Sequence, residues 1–241
     1  MPLLSELRAL ARELIPDTCP RCRMSSAGGF CGDCRRDFVR VGSPCPRCGL
    51  PAPCRRCPAL AAGWLLDAVR APYLYAAPLA GCLQALKYAK ERRFGAALGR
   101  LLALEVDSAR SGCDIVVAVP LHPARLRQRS FNQADEIARP LARALGARLL
   151  AAGIRRTRHT EPQTALDRGE RLRSLDGAFA VRGSLAGLSI AIVDDVITTG
   201  ATINALAAAL RSAGAVGVEA FAVARAVGGA DADDAQAARN R

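Results

Sequence analysis

Lysine is almost missing from this chain. Of 34 basic residues among 241, only Lys87 and Lys90 are lysines, so the net charge of +12 is carried by arginine. The planar guanidinium fork holds phosphate bidentately, which points to a polyanion: nucleic acid, a phosphorylated metabolite or an anionic surface. Genomic base composition would raise the arginine count without any ligand, so the charge alone decides nothing. Long apolar runs are missing too. No stretch of eighteen uncharged apolar residues occurs, which excludes a membrane-spanning helix. Residues 1–17 lack the hydrophobic run of a signal peptide, because Glu6, Arg8, Arg12 and Glu13 interrupt Leu3, Leu7, Leu10 and Leu14. Their spacing predicts an amphipathic helix that packs on the neighbouring segment, with membrane or partner contact as the other reading. Without an export signal, the expected compartment is a reducing cytoplasm. Histidine is limited to His122 and His159, read as loop residues before general acids.

Cysteine is plentiful by contrast, and eight of the ten fall before residue 58. They form four Cys-x-x-Cys knuckles: Cys19/Cys22, Cys31/Cys34, Cys45/Cys48 and Cys54/Cys57. In a reducing compartment such clusters read as metal ligands and not as disulfides. Two intervening residues let both thiolates of a knuckle face one tetrahedral metal, so eight ligands make two closed structural Zn²⁺ sites. The simplest pairing joins neighbouring knuckles; the spacing allows a crossed pairing as well, and iron–sulfur or redox-active thiols are the other chemistries. The block is rich in Gly and Pro and has few large apolar residues. Metal binding is therefore expected to supply much of its folding free energy, on the order of 10 kcal/mol per structural zinc. Arg21, Arg23, Arg35, Arg36, Arg40, Arg47, Arg55 and Arg56 decorate it, either as a nucleic-acid surface or as solvated scaffold. Cys82 and Cys113 lack a knuckle and read as ordinary buried thiols.

From Trp64 the pattern changes to alternating strands and helices, which argues for an α/β domain with a parallel sheet covered on both faces. Strands are expected at 68–75, 114–119, 148–151, 189–193 and 216–224. Helices are expected at 79–88, 94–106, 132–145 and 201–213, and residues 155–176 are aperiodic. The most informative run is IAIVDDVITTGAT, Ile190 to Thr202. A buried strand delivers Asp194 and Asp195 to its carboxyl end, where open α/β sheets bind ligands. Thr198, Thr199, Gly200, Ala201 and Thr202 then open a helix, and their hydroxyls and free amides can surround one phosphate. Carboxylates for sugar hydroxyls beside a phosphate cradle describe a ribose-5-phosphate site.

All thirteen positions of that run resemble the phosphoribosyl-pyrophosphate (PRPP) motif of type I phosphoribosyltransferases. The resemblance implies that Asp194 and Asp195 bind the ribose hydroxyls and that Thr198 to Thr202 hold the 5′-phosphate. Within that superfamily the chain is similar to the ComF/GntX group. The likeness rests on VPLHPARLRQRSFNQA (119–134), RTRHTEPQTALDRGERLRSLDGAF (156–179) and the cysteine block before them. It implies a type I phosphoribosyltransferase fold (64–227) behind a double zinc ribbon (18–60); the composition of 228–241 itself reads as a disordered tail. By the same likeness, the turn Pro120–Pro123, with Leu121 and His122, resembles a pyrophosphate loop. Arg125, Arg127 and Arg129 become candidates for pyrophosphate and its Mg²⁺, or else a stripe facing nucleic acid. Asn132 and Gln133 suit a helix cap and polar contacts under the site. Residues 155–176 correspond to a flexible hood carrying Thr160, Gln163 and Arg171, which would exclude water from the reaction.

Three departures from the family pattern stand out. Ser130 replaces an expected Gly, Ser174 an expected Asn, and Thr198 stands where 6-oxopurine enzymes carry an acid. Two functions follow from the resemblance: phosphoribosyl transfer to an unknown acceptor, or a PRPP-sensing or single-stranded-DNA-binding accessory. In either case it implies a link to natural competence, handling incoming DNA with partner proteins at the inner face of the membrane.

Overall fold

The computed structural model describes residues 18–54, 57–60, 63–106, 112–157 and 177–228. The helix expected over 1–17, the tail, and the hood positions His159, Thr160, Gln163, Arg171 and Ser174 lie outside the described residues, as do Arg55 and Arg56. In chain order the elements are α1 (Gly32–Arg36), β1 (Ala68–Arg70), β2 (Tyr73–Leu74), α2 (Leu79–Lys87), α3 (Arg93–Leu104), β3 (Ile115–Ala118) and α4 (Pro123–Arg129). They continue with α5 (Gln133–Leu145), β4 (Arg148–Leu149), β5 (Ile154–Arg156), β6 (Phe179–Val181), β7 (Ser189–Ile197), α6 (Ala201–Ser212) and β8 (Gly217–Arg225).

The sheet is parallel throughout, in the order β1-β8-β7-β3-β4, with β2 also on β8. The two strands with continuous apolar runs, β3 and β7, lie side by side in its middle with Ile115 opposite Ile190. Strand alternation then sorts their side chains between two faces. On one face Val116, Ala118, Ala191, Val193, Phe221 and Val223 pack under Leu83 and Leu86 of α2, Leu98 and Leu101 of α3, and Ile137 and Leu141 of α5. On the other, Ile115, Val117, Ile190, Ile192 and Val218 meet Ile203, Leu206 and Leu210 of α6. The α3–α5 contact is close enough that a Cβ on Gly99 would lie 2.5 Å from the Ile137 carbonyl.

The fold differs from the sequence expectations, or adds to them, at four places. Pro72 has no N–H to give a ladder, and it divides the strand expected at 68–75 into β1 and β2. Residues 123–129, beyond the turn at 120–123 and assigned to no element, form a helix. β5 and β6 pair as an antiparallel ribbon that flanks the hood segment. β7 runs on to Ile197 instead of ending at Val193, because β8 pairs with it along its whole length.

The cysteine block is also less self-contained than its composition suggests. Phe30 and Phe38 are buried in the main core, Phe30 against Phe94 (centroids 6.3 Å apart) and Phe38 edge-on to Tyr73 (6.0 Å). The Val41 N–H donates to the Pro72 carbonyl and the Leu74 N–H to the Val39 carbonyl, both at 2.8 Å. Residues 39–41 thereby cover the outer edge of β2, an exposed edge being a hazard in any sheet.

Candidate functional site

Asp194 and Asp195 are neighbours on β7, so alternation turns them to opposite faces. Asp195 goes to the α2 side, where it is buried and Lys87 Nζ reaches its Oδ2 at 2.7 Å. Its Oδ1 accepts the Val196 N–H at 2.8 Å, and Asp194 Oδ1 accepts the Asp195 N–H at 2.8 Å. Burial opposes the charge on Lys87, but the carboxylates of Asp195 and Asp194 hold its pKa above the ordinary lysine value. Asp194 is pushed up to about 8, first by loss of solvent and then by the carboxylate of Asp195, against the pull of Lys87. Lys87 pairs with Asp195 while Asp194 keeps its proton to about pH 8, so the Asp194 carboxyl retains acceptor capacity suited to hydroxyl donors, and an arriving cation would displace that proton.

The loop after β7 is shaped by Gly200, whose φ of +86° places it in the left-handed region at the head of α6. A Cβ there would lie 2.8 Å from the Trp64 ring. Thr199 Oγ1 accepts the Ala201 N–H at 3.3 Å. Gly200 supplies no side-chain cap, which leaves the first-turn amides of α6 in the arrangement that binds anions at helix N-termini. Asp194, Thr198, Gly200, Ala201 and Thr202 line one small concavity of about 30 Å³. Asp195, turned to the other face of β7, and Thr199 do not line it. A larger cavity, about 630 Å³, lies between Phe30 and helices α3 and α5, away from these carboxylates.

The stretch after β3 behaves differently from a plain loop. His122 is the N-cap of α4, its Nδ1 accepting the Ala124 N–H at 3.3 Å, and Leu121 beside it is half-buried. At 100° per residue, Arg125 and Arg129 fall about 40° apart around α4 and Arg127 points the other way, so the three do not form one stripe. Arg129 lies over the Tyr88 ring at 5.5 Å and Arg127 is exposed. Arg125 sits near Arg156 of β5. Burial first, then the repulsion of Arg125, lowers the pKa of Arg156, and Asp194 opposes that shift. Asn132 caps α5 through the Ala134 N–H (3.1 Å) and donates to the Val119 carbonyl (3.0 Å), tying the helix to the end of β3. Gln133 is buried beneath it. Ser130 adopts φ +68°, the conformation glycine takes most readily.

The eight knuckle cysteines gather as Cys19, Cys22, Cys31, Cys34 and as Cys45, Cys48, Cys54, Cys57, with all Sγ atoms of each cluster within 4.8 Å of one another. Four thiolates 2.3 Å from a tetrahedral zinc would lie about 3.8 Å apart. The observed separations are 3.6 Å for Cys22 and Cys31, 4.0 Å for Cys45 and Cys57, and 3.7 Å for Cys48 and Cys54. Neighbouring knuckles pair, both sets fit Zn²⁺, and a filled shell leaves no open position for catalysis. Backbone N–H groups aim at the sulfurs. Burial works against the Cys19 thiolate, yet the amides of Cys22, Cys31 and Arg21 bring its pKa down to about 6. Several arginines of the block are engaged: Arg21 with Asp37, Arg36 with Asp33, and Arg40 bidentately with Glu105. Arg23, Arg35 and Arg47 stand exposed. Of the spare thiols, Cys82 is buried and Cys113 half-buried.

No family model matches the chain. It is 36% identical over 224 residues to the DNA utilization protein YhgH of Escherichia coli (strain K12), covering 88% of this chain and 98% of that protein. The chain belongs to the ComF/GntX family. A second relative is Competence protein F of Haemophilus influenzae, 29% identical over 86% of this chain and 96% of its own. Among solved structures, a purine phosphoribosyltransferase from Pyrococcus horikoshii is similar over 54% of this chain and 84% of its own, at 17% identity and a TM-score of 0.34.

In this ComF/GntX protein the sequence reading missed Lys87 and Arg156. Lys87 ends an amphipathic helix and Arg156 opens an aperiodic stretch, so neither stands out locally. The one usable signal was rarity, since Lys87 is one of two lysines in an arginine-built chain. Among the described residues, no helix is long and apolar enough to cross a membrane.

Proposed function

We propose that this chain binds Mg²⁺·PRPP at the β7–α6 junction, transfers the phosphoribosyl group to a nitrogen acceptor, and serves DNA uptake. The observation that carries the reading is the junction itself: two adjacent carboxylates near the end of β7, a hydroxyl-rich turn and the N-terminus of a helix follow one another within nine residues. Asp194 and Asp195 accept hydrogen bonds from the ribose 2′ and 3′ hydroxyls. The hydroxyls and amides of Thr198, Thr199, Gly200, Ala201 and Thr202 hold the 5′-phosphate. Lys87 keeps Asp195 oriented, and Arg125 and Arg156 face the leaving pyrophosphate, with Gln163 and Arg171 contributing from the hood.

Oxygen donors suit Mg²⁺, which retains several waters and binds through one or two carboxylates plus substrate phosphates. Asp194, the more open carboxylate, is the residue that would share it, and the ion would neutralise charge on the pyrophosphate. In transfer, a C1–N bond forms as the C1–O bond to pyrophosphate breaks. This chain contributes positioning and charge stabilisation. The cytoplasm is the compartment this substrate and the thiolate clusters require.

Pyrophosphate release tests the reaction. Release from PRPP with one of a panel of bases, lost in Asp194→Ala/Asp195→Ala, is expected; equal release from both proteins would move the chemistry elsewhere. Binding without release by any base would leave the chain a PRPP sensor. A second reading, single-stranded-DNA binding, is supported by the charge distribution: residues 1–60 and 61–189 carry net +5 and +9, whereas 190–241 carry −2. The names of the relatives point to DNA work too. Phosphate contacts would make log affinity fall steeply with log salt; a flat slope, or no binding at low salt, would remove the DNA reading.

A further inference from the structure

The second cysteine cluster and the phosphate loop come from distant parts of the chain, yet one buried residue touches both. Arg225, the last residue of β8, is fully buried. Its guanidinium donates to the Cys48 carbonyl at 3.0 Å and the Ile197 carbonyl at 2.8 Å, and also to the carbonyl of Thr198. Cys48 is a knuckle residue of the cluster and Thr198 is the first residue of the loop. A guanidinium keeps its charge in a protein and offers donors in a fixed fork. The fork therefore sets the distance between the three carbonyls it joins.

Two further contacts run along the same line. Trp64 packs on one side against the small buried cluster of Cys48, Leu50 and Ala59, which Cys45, Cys54 and Cys57 also adjoin, and on the other against the α6 face of the core, and its ring occupies the space over Gly200. Asn204, in the first turn of α6, accepts the Leu65 N–H at 2.7 Å and donates to the Gly63 carbonyl at 2.9 Å, which fastens the chain just beyond the cluster. The first cluster is placed elsewhere. Cys19, Cys34 and Phe30 join the core under α2 and α3.

We propose that the second cluster is the footing of the phosphate loop, with Arg225 as the positioning residue that transmits its geometry, and that the first cluster has no such role. The affinity half of this inference rests on the PRPP reading above; the structural half does not.

Two measurements test it. Hydrogen exchange at Thr199 to Ile203, read without ligand on zinc-loaded protein, is expected to quicken at least tenfold in Cys54→Ser and to stay within twofold in Cys22→Ser. Equal responses in both variants, or none in either, overturn the inference. Titration with Mg²⁺·PRPP is expected to show at least tenfold weaker binding in Arg225→Met, with Arg225→Lys in between, in protein that keeps about two zinc ions and a single melting transition. Unchanged affinity in Arg225→Met also overturns it. Should Arg225→Met fail to fold, the exchange comparison and Arg225→Lys decide. A wild type that binds no PRPP while the exchange result holds sinks the PRPP reading and leaves the footing in place.

Discussion

Gly200→Ala is the sharpest perturbation of the candidate site, and its cost can be worked from geometry. At φ +86° an alanine is strained, at about 1–2 kcal/mol for a left-handed residue that is not glycine. Its Cβ would also lie 2.8 and 3.0 Å from two atoms of the Trp64 ring. That ring is packed on both sides and cannot simply swing away, so overpacking adds about 1–3 kcal/mol. The sum, roughly 2–5 kcal/mol, corresponds to a fall in melting temperature of about 5–15 °C for a chain of this size. Far-UV circular dichroism is the appropriate assay, because Trp64 is the sole tryptophan and the second variant removes it. In a Trp64→Leu background the overlap is gone, and Gly200→Ala should cost only the backbone share, leaving a coupling of roughly 1–3 kcal/mol in the double-mutant cycle. A melting temperature within 1 °C of wild type, or zero coupling, would refute the placement of Trp64 over the loop.

The junction's electrostatics give a pH prediction. Folded Asp194 holds its proton up to about pH 8, whereas an unfolded aspartate releases it near pH 4. Between those values the folded state binds the extra proton, so raising the pH lowers stability. Asp194→Asn should therefore melt higher than wild type at pH 8.5, with the gap closing toward pH 4, and a pH-independent gap would contradict the assigned burial. Lys87→Met strands the carboxylate of Asp195 in a buried position, at a cost of roughly 3 kcal/mol; urea denaturation showing less than 1 kcal/mol would mean the pair is not formed. Ser130→Gly relieves a left-handed serine and should stabilise by about 0.5–1 kcal/mol, a gain that a lowered melting temperature would rule out. Metal analysis should find about two zinc ions per chain, and one or none would refute the paired-cluster assignment.

What could be read locally was read well. The runs around Val116 and Ile192 declare buried strands because they are apolar on both faces. Asn132 marks the start of α5 as a cap residue does, and the Cys-x-x-Cys spacing carries its own geometry. The misses have physical reasons. No residue of α4 is buried, so it has no apolar periodicity to detect, and its left-handed end is hidden because Ser130 stands there instead of glycine. β7 outruns its apolar stretch because pairing with β8 holds Asp194 to Ile197 extended despite the two carboxylates. Phe30 and Phe38 seemed too few to make a core because the core they join belongs to α2, α3 and β2. Lys87 and Arg225 take their meaning from partners far along the chain, Asp195 and Cys48, which no local pattern can reveal.

The central claim is that the β7–α6 junction holds Mg²⁺·PRPP, and calorimetric titration of wild type against Asp194→Asn/Asp195→Asn tests it most directly. Saturable binding at one site per chain is predicted for wild type and loss of that heat for the double variant, with both proteins folded and carrying their zinc. Equal binding by the two proteins, or none by wild type, would contradict the account.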